Sequence, residues 1–203
     1  MIKKVAIIAA LLGIVLYSLS GIKTSASVYS AQLNKARSEK NRALRTSPNS
    51  PLSTPQKAVF DTLDYYPADM AFVVDAAISR ETKPDTLLIQ MSANRAEKFL
   101  HWGMAQFKVG NQPQQLGIYL KANGKDSTLF IPFTDRTNGH ETYGGGRYLD
   151  VPLPEPDATE IELDFNRTYN PYCAYNNAYS CPVPPAENRL PVAIPAGEKS
   201  FHD

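Results

Sequence analysis

From residue 70 to residue 165 the chain is a succession of short apolar runs rich in Val, Ile, Leu, Phe and Tyr. They are Ala71–Ala77, Thr86–Met91, Lys98–Val109, Gln115–Lys121 and Ser127–Phe133. Runs this short, bounded by turn residues, read as β-strands. Asn123-Gly124 between the last two is a hairpin signal, because a type I′ turn needs positive φ at both central residues. Glu160–Phe165 alternates Ile161, Leu163 and Phe165 with Glu160, Glu162 and Asp164, the pattern of a strand with one face in a core and one in water. No helix alternates with these strands, which removes a doubly wound parallel sheet. With 16 Pro and 11 Gly in 203 residues, a helical bundle is removed as well. The expected fold is mainly β: an antiparallel barrel or sandwich, with one or two N-terminal helices and an irregular Pro-rich C-terminal segment.

Residues 27–46 lack Gly and Pro and carry the weakly periodic Val28, Leu33, Ala36 and Leu44, which predicts a helix. Its charges are mostly basic: Lys35, Arg37, Lys40, Arg42 and Arg45 against Glu39. This face reads as a stalk touching lipid headgroups or, more commonly for such runs, as a solvated face. Pro48, Pro51 and Pro55 mark a linker or turn. Thr54 as N-cap with Pro55 at the first helical position then starts a short helix that buries Val59, Phe60 and Leu63. Past the strands, residues 166–199 carry Pro171, Pro182, Pro184, Pro185, Pro191 and Pro195 and no period. Such a segment is expected to lie over the sheet, its backbone groups met by side chains rather than by a ladder. The expected organisation is a targeting segment at 1–26, a helical stalk and linker at 27–50, and one β-rich domain at 51–203.

The first 26 residues begin with Lys3-Lys4 and an apolar run from Val5 to Leu19. That length fits a secretory signal peptide. Counted to Ile22 the run gives about 27 Å of helix, close to a membrane span, so an uncleaved anchor stays open. The basic residues after the run oppose export on a positive-inside count, but long domains cross largely regardless of such charge. No Cys follows the run, which excludes a lipoprotein anchor. The expected location is the periplasm or the outer face of the cytoplasmic membrane, with membrane contact through the N-terminal segment only. A formal charge of +1 argues against a nucleic-acid binder held by phosphate contacts.

Polar chemistry concentrates in two places. Between Asp135 and Asp150 stand Asp135, His140, Glu141 and Arg147, with Gly144-Gly145-Gly146 among them. Asp135, His140 and Glu141 are the candidate acid–base residues. Arg147 is a candidate anion clamp, and the glycines a cradle of N–H groups. The competing reading is a turn whose polar side chains cap their own backbone, with Arg147 paired to an acid. For Arg147 the expected partners are Asp164, Glu187 or Glu141. The second concentration supplies Tyr148, Asp164, Asn166, Tyr169, Asn170, Glu187 and Asn188 as ligand-binding candidates, since Tyr and Asn together suit a sugar or polar metabolite. Against this stands a structural role, satisfying the backbone of a segment without a ladder. Asn166-Arg-Thr168 matches a glycosylation sequon by chance. Cys173 and Cys181 are expected to close a short disulfide loop, stabilising by about 2.5 kcal/mol. The alternative is zinc held by both thiolates, His140 and a carboxylate, at a spacing that matches no zinc signature. No metal or cofactor is expected. No Gly-x-Ser-x-Gly elbow, His-Glu-x-x-His or CxxC motif is present, so standard hydrolase, zincin and thioredoxin readings lack support.

The segments Phe130-Ile-Pro-Phe-Thr-Asp-Arg-Thr-Asn-Gly-His-Glu-Thr-Tyr-Gly-Gly-Gly-Arg-Tyr-Leu-Asp150 and Asp164-Phe-Asn-Arg-Thr-Tyr-Asn-Pro-Tyr-Cys-Ala-Tyr175, the latter continuing to Cys181–Asn188 and Gly197-Glu-Lys199, resemble a bacterial and archaeal family named domain of unknown function 1684. With the weaker stretch from Ser50 to Tyr66, the resemblance covers roughly residues 28–199. It implies that these segments define what the family shares, and it brings no activity, substrate or catalytic residue. The expected function is a non-catalytic, envelope-associated module binding a small polar ligand or partner. The alternative is a hydrolase using Asp135, Glu141 and His140.

Overall fold

The structure, a computed structural model, describes residues 26–93, 95–122 and 128–201. All of the 1–26 targeting segment but its last residue, and the Asn123-Gly124 turn, lie outside the described residues. The chain divides into two units, Met1–Lys40 and Asn41–Asp203. In the first, residues 26–40 are helical. Helix α1 is described from residue 26 to residue 46, so its last turn belongs to the second unit. There Leu44 packs with Leu52, Leu63 and Tyr175. Among the described residues no helix is long and apolar enough to cross a membrane.

Helix α2 (Thr54–Val59) is capped by Ser53, one residue earlier than the sequence suggests. Ser53 and Gln56 form a reciprocal capping box, and Pro55 stands in the first turn. Val59 is 83% exposed rather than buried. A helix of six residues ends before a periodic face can form, and the apolar contact passes to Phe60 and Leu63 beyond it.

The strands are β1 (Val73–Arg80), β2 (Thr86–Gln90), β3 (Ala96–Val109), β4 (Gln112–Lys121), β5 (Thr128–Phe133), β6 (Arg147–Pro152) and β7 (Glu160–Asp164). Every pairing is antiparallel, in the order β6-β5-β4-β3-β1-β7, with β2 on β3. The end strands β6 and β7 meet, so the sheet curls into a nearly closed barrel. Alternate residues fill its interior: Ala76, Ala105, Phe107, Leu116, Ile118, Leu129, Ile131, Phe133, Leu149, Val151, Ile161 and Leu163. Each large side chain among them stabilises by about 1.5–3 kcal/mol on leaving water.

Two irregularities of this sheet decide which side chains reach each face. β3 changes face partway along. Its register slips between His101 and Gly103, and a bulge of one residue inverts which side chains point inward. Ahead of it Phe99 joins an outer cluster with Ile89 and Tyr119, and behind it Ala105 and Phe107 face the interior. β6 was hidden in the sequence because one of its inward positions is an arginine. Arg147, Leu149 and Val151 are buried inside, while Tyr148 and Asp150 point outward.

Residues 165–201 contain three 3-10 turns, Phe165–Arg167, Tyr172–Ala174 and Ala186–Asn188. Among the described residues, their β-type pairing with the barrel strands and flanks consists of the isolated bridges Tyr148↔Tyr169, Met91↔Pro182 and Thr134↔Arg189. Leu190, Ile194 and Ala196 enter the interior cluster.

Candidate functional site

Arg147 is fully buried. Its Nη2 donates to Asp135 Oδ2 at 2.7 Å and to the Ile194 carbonyl at 2.8 Å. Its Nη1 donates to the carbonyls of Ala196 and Glu198. The guanidinium stands 5.5 Å from the Phe133 ring centroid. Asp135 Oδ1 accepts from the Thr137 N–H and hydroxyl and from the Ile194 N–H. The partner is therefore Asp135, not Asp164, Glu187 or Glu141. Phe133 pairs with Arg147 across β5 and β6, which sets Asp135, two residues on, beside it. Both side chains are sealed from solvent. The pair survives burial because both Nη atoms and both carboxylate oxygens are hydrogen-bonded locally, although Arg147 Nε has no partner among the described residues. It clamps the C-terminal segment into the barrel.

The neighbouring candidates are placed differently. Glu141 is exposed and accepts the Tyr66 hydroxyl at 2.5 Å. Burial and Glu141 push the Tyr66 phenol up, and Arg147 and Asp135 also act on it. His140 is exposed on the same loop. Gly146 is no anion cradle. It has φ +95°, an added Cβ would stand 2.7 Å from the Phe133 carbonyl, and its N–H is taken by the Tyr143 carbonyl. Asp164 caps its own turn, accepting from Asn166 and Arg167.

The asparagines act as backbone staples. Asn188 Oδ1 accepts the Gly117 N–H at 2.6 Å, and its Nδ2 donates to the carbonyls of Gly117 at 2.9 Å and Pro132 at 2.7 Å. It fills the gap that Pro132, lacking an N–H, leaves between β4 and β5, whose register is defined only at Tyr119↔Phe130. Asn166, buried and so unlike an exposed sequon, grips the backbone N–H and carbonyl of Asp69. Asn170 Nδ2 reaches Glu198 Oε1 at 2.9 Å and the Lys199 carbonyl at 2.7 Å. Glu198, fully buried, also accepts the Tyr175 hydroxyl. Sequence reasoning does not single it out. The signal was its place in Gly197-Glu-Lys199, the acid that closes the second segment. Glu187 lies elsewhere, on the Tyr119 hydroxyl and 3.9 Å from His101 Nε2.

Two clefts among the described residues open to solvent: one of about 980 Å³ beside Gln106, Gln114, Glu187 and Arg189, and an aromatic one of about 450 Å³ on the outer face of the barrel. The floor and walls of the aromatic cleft come from Phe99 on β3, Phe130 on β5, Tyr148 and Asp150 on β6, and Tyr169, Tyr172 and Tyr179 of the C-terminal segment, with Lys121, Thr128, Ser180 and Cys181 at its margins. The aromatic rings brace one another. Tyr148 stands edge-on to Phe130 at 4.8 Å and to Tyr169 at 5.8 Å, and Tyr172 to Tyr179 at 5.3 Å. The Tyr169 hydroxyl donates to Asp150 at 2.8 Å and that of Tyr148 to the Pro182 carbonyl. Burial pushes both phenols well above their ordinary range, so both remain O–H donors. Tyr172 is 49% exposed and Tyr179 37%, leaving ring faces for a ligand. Of the sequence-predicted site residues, the cleft gathers Tyr148, Tyr169 and Cys181. Arg147, Asp135 and the three asparagines are buried supports.

Cys173 and Cys181 are adjacent but free, not joined in the expected disulfide. The Cys173 N–H donates to Cys181 Sγ at 3.1 Å. Tyr143 donates to Cys173 Sγ at 3.7 Å. Interaction with Cys181 and this phenol bring the Cys173 thiol down to about 6, against the opposing effect of burial. Cys173 and burial push Cys181 up. Among the described residues no three His, Cys, Asp or Glu side chains come together as a metal site.

A comparison with curated proteins finds no match. Among solved structures, the chain is similar to the solution NMR structure of an uncharacterized protein of Haloarcula marismortui. The two share 34% identity and a TM-score of 0.68, over 87% of this chain and 96% of that one. The family model described as protein of unknown function, DUF1684, matches residues 58–199, beginning later than the residue 28 that the resemblance implied. The match includes both polar segments and every aromatic wall of the cleft, and the chain belongs to the DUF1684 family.

Proposed function

We propose that this protein is a non-catalytic module, exported and associated with the cell envelope, that binds a small polar ring compound such as a sugar in the aromatic cleft. The observation that carries this reading is the cleft itself: exposed tyrosine faces of the C-terminal segment beside Asp150 and Ser180, against the outer face of the barrel. Tyrosine faces cover the C–H face of a sugar ring, and Asp150, Thr128 and Ser180 offer partners for its hydroxyls. Binding stands ahead of hydrolysis because Asp135, needed for the acid–base trio, is sealed from solvent and committed to Arg147. Export rests on the Lys3-Lys4 start and the apolar run after it.

The binding test is calorimetric titration of the purified protein with a panel of mono- and disaccharides. At least one should bind, and Tyr172→Ala should weaken it tenfold or more. A panel without a binder, or binding untouched by Tyr172→Ala, would contradict the proposal. Fractionation of the host should place the domain outside the cytoplasmic membrane. A soluble cytoplasmic pool with intact Met1 would contradict export.

A further inference from the structure

The cysteine pair sits in the wall of the cleft. Cys181 lines it directly, and the nine residues from Cys173 to Cys181 carry Tyr179 and Ser180. The two ends of this loop are held differently. Cys181 is fixed to the residues after β2: its N–H donates to Ser92 Oγ at 3.0 Å, and its carbonyl accepts the Ser92 N–H at 2.9 Å. Cys173 lies in the Tyr172–Ala174 turn, where its N–H donates to Cys181 Sγ and its side chain also interacts with Cys181 and Ser92. The Tyr143 hydroxyl approaches Cys173 from the first polar segment. Tyr143 is itself placed by a packed glycine, since an added Cβ at Gly145 would stand 2.4 Å from its ring. A phenol donor aimed at a half-buried sulfur favours the thiolate there, whereas Cys181 is more deeply buried, 7% exposed at the cleft wall.

We propose that Cys173 and Cys181 form a reversible dithiol–disulfide site, with Cys173 as the attacking thiolate and Cys181 as the resolving thiol, and that the bond fixes the Tyr172–Tyr179 wall of the cleft. The oxidant is a low-molecular-weight or protein disulfide. The Cys173 thiolate attacks one sulfur, forms a mixed disulfide and expels the other sulfur as a thiolate. Cys181, deprotonated, attacks the Cys173 sulfur of the mixed disulfide and expels the second thiolate. Two electrons pass to the oxidant, and the two protons lost by the cysteines appear on the two thiols released. The reverse exchange with a dithiol reopens the loop. In its consequence for ligand binding this inference rests on the proposed function.

The test uses the whole protein equilibrated in mixtures of reduced and oxidised glutathione, then acid-trapped and weighed. A monomer lighter by about 2 Da should form under oxidising mixtures and revert under reducing ones. Thiols that stay reduced, or that end as stable glutathione adducts or cross-linked dimers, overturn the proposal. A short iodoacetamide pulse on the reduced protein should label Cys173 at least tenfold faster than Cys181, with a midpoint near about 6. Tyr143→Phe should raise that midpoint. Preferential labelling of Cys181 overturns the assigned roles. Chymotrypsin should cut after Tyr172 and Tyr179 several-fold faster in the reduced form, and equal rates overturn the locked wall. If the dithiol cycles and no sugar binds in either state, the binding reading fails and this one stands. If a sugar binds equally in both states, the coupling fails and the binding reading stands.

Discussion

Two polar regions assembled from the same two segments end in opposite conditions. Around Arg147 the two Nη atoms of the guanidinium bond the Asp135 carboxylate and the carbonyls of Ile194, Ala196 and Glu198 out of contact with water. In the cleft, tyrosine rings brace one another edge-on yet leave faces exposed, beside an exposed Asp150. Density of polar residues in the sequence is therefore a poor guide to a site. What separates the two regions is whether the groups are used up by the fold. A buried charge must be paired to persist, so the most chemically suggestive residue, Arg147, is the one the fold has consumed. Tyr172 and Tyr179, which satisfy nothing in the barrel core, are the ones available to a ligand.

Substitutions on either side sharpen this contrast. The largest effect belongs to the clamp. Arg147→Ala leaves Asp135 buried without its cation and should cost about 3–5 kcal/mol in urea unfolding. A loss below about 1 kcal/mol would show that the pair is not sealed as described. Asn188→Ala removes three hydrogen bonds to buried backbone groups of Gly117 and Pro132. It should cost about 2 kcal/mol, with earlier amide exchange at the β4–β5 seam.

A smaller effect should appear with pH in the reduced protein. The Cys173 thiol is lowered to about 6 from an ordinary value of 9.0. The unfolded chain then holds more protons than the native one between those values, so stability should rise with pH across that window. It is lost as pH falls through about 6. Cys181, shifted upward, acts in the opposite sense above the ordinary thiol range and should reverse the trend there. Unfolding midpoints that stay flat from pH 6 to 9 in the reduced wild type, or that rise equally in Cys173→Ser, would contradict the assignment. The smallest effect on stability belongs to the cleft. Tyr172→Ala should change it by no more than about 0.5 kcal/mol.

The contrast also explains how much was legible from the residues. The strands around residues 70–133 and 160–165 were readable because their inward positions are apolar at period two. The same rule hid β6, where Arg147 occupies an inward position, and it could not reveal the bulge at His101–Gly103 that turns β3 inside out. The Tyr and Asn of the C-terminal segment were readable as a polar concentration, and both of their open roles were occupied. Asn166, Asn170 and Asn188 staple backbone, whereas Tyr148, Tyr169, Tyr172 and Tyr179 wall the cleft. Which role each takes depends on which face of the barrel the segment covers, a matter of chain path that no local pattern carries. Arg147's choice of Asp135 over three other acids depends likewise on the β5–β6 register.

The most direct test of the central claim is to map ligand contact residue by residue. Amide chemical shifts of the folded protein should be followed during titration with the saccharide panel. Perturbations should concentrate at Tyr148, Asp150, Tyr169, Tyr172, Tyr179 and Ser180, leave Asp135, Arg147 and Ile194 unmoved, and vanish in Tyr172→Ala while the rest of the spectrum keeps its dispersion. Perturbations centred on Asp135, His140, Glu141 and Arg147, with the cleft silent, would contradict the assignment of one region to structure and the other to binding.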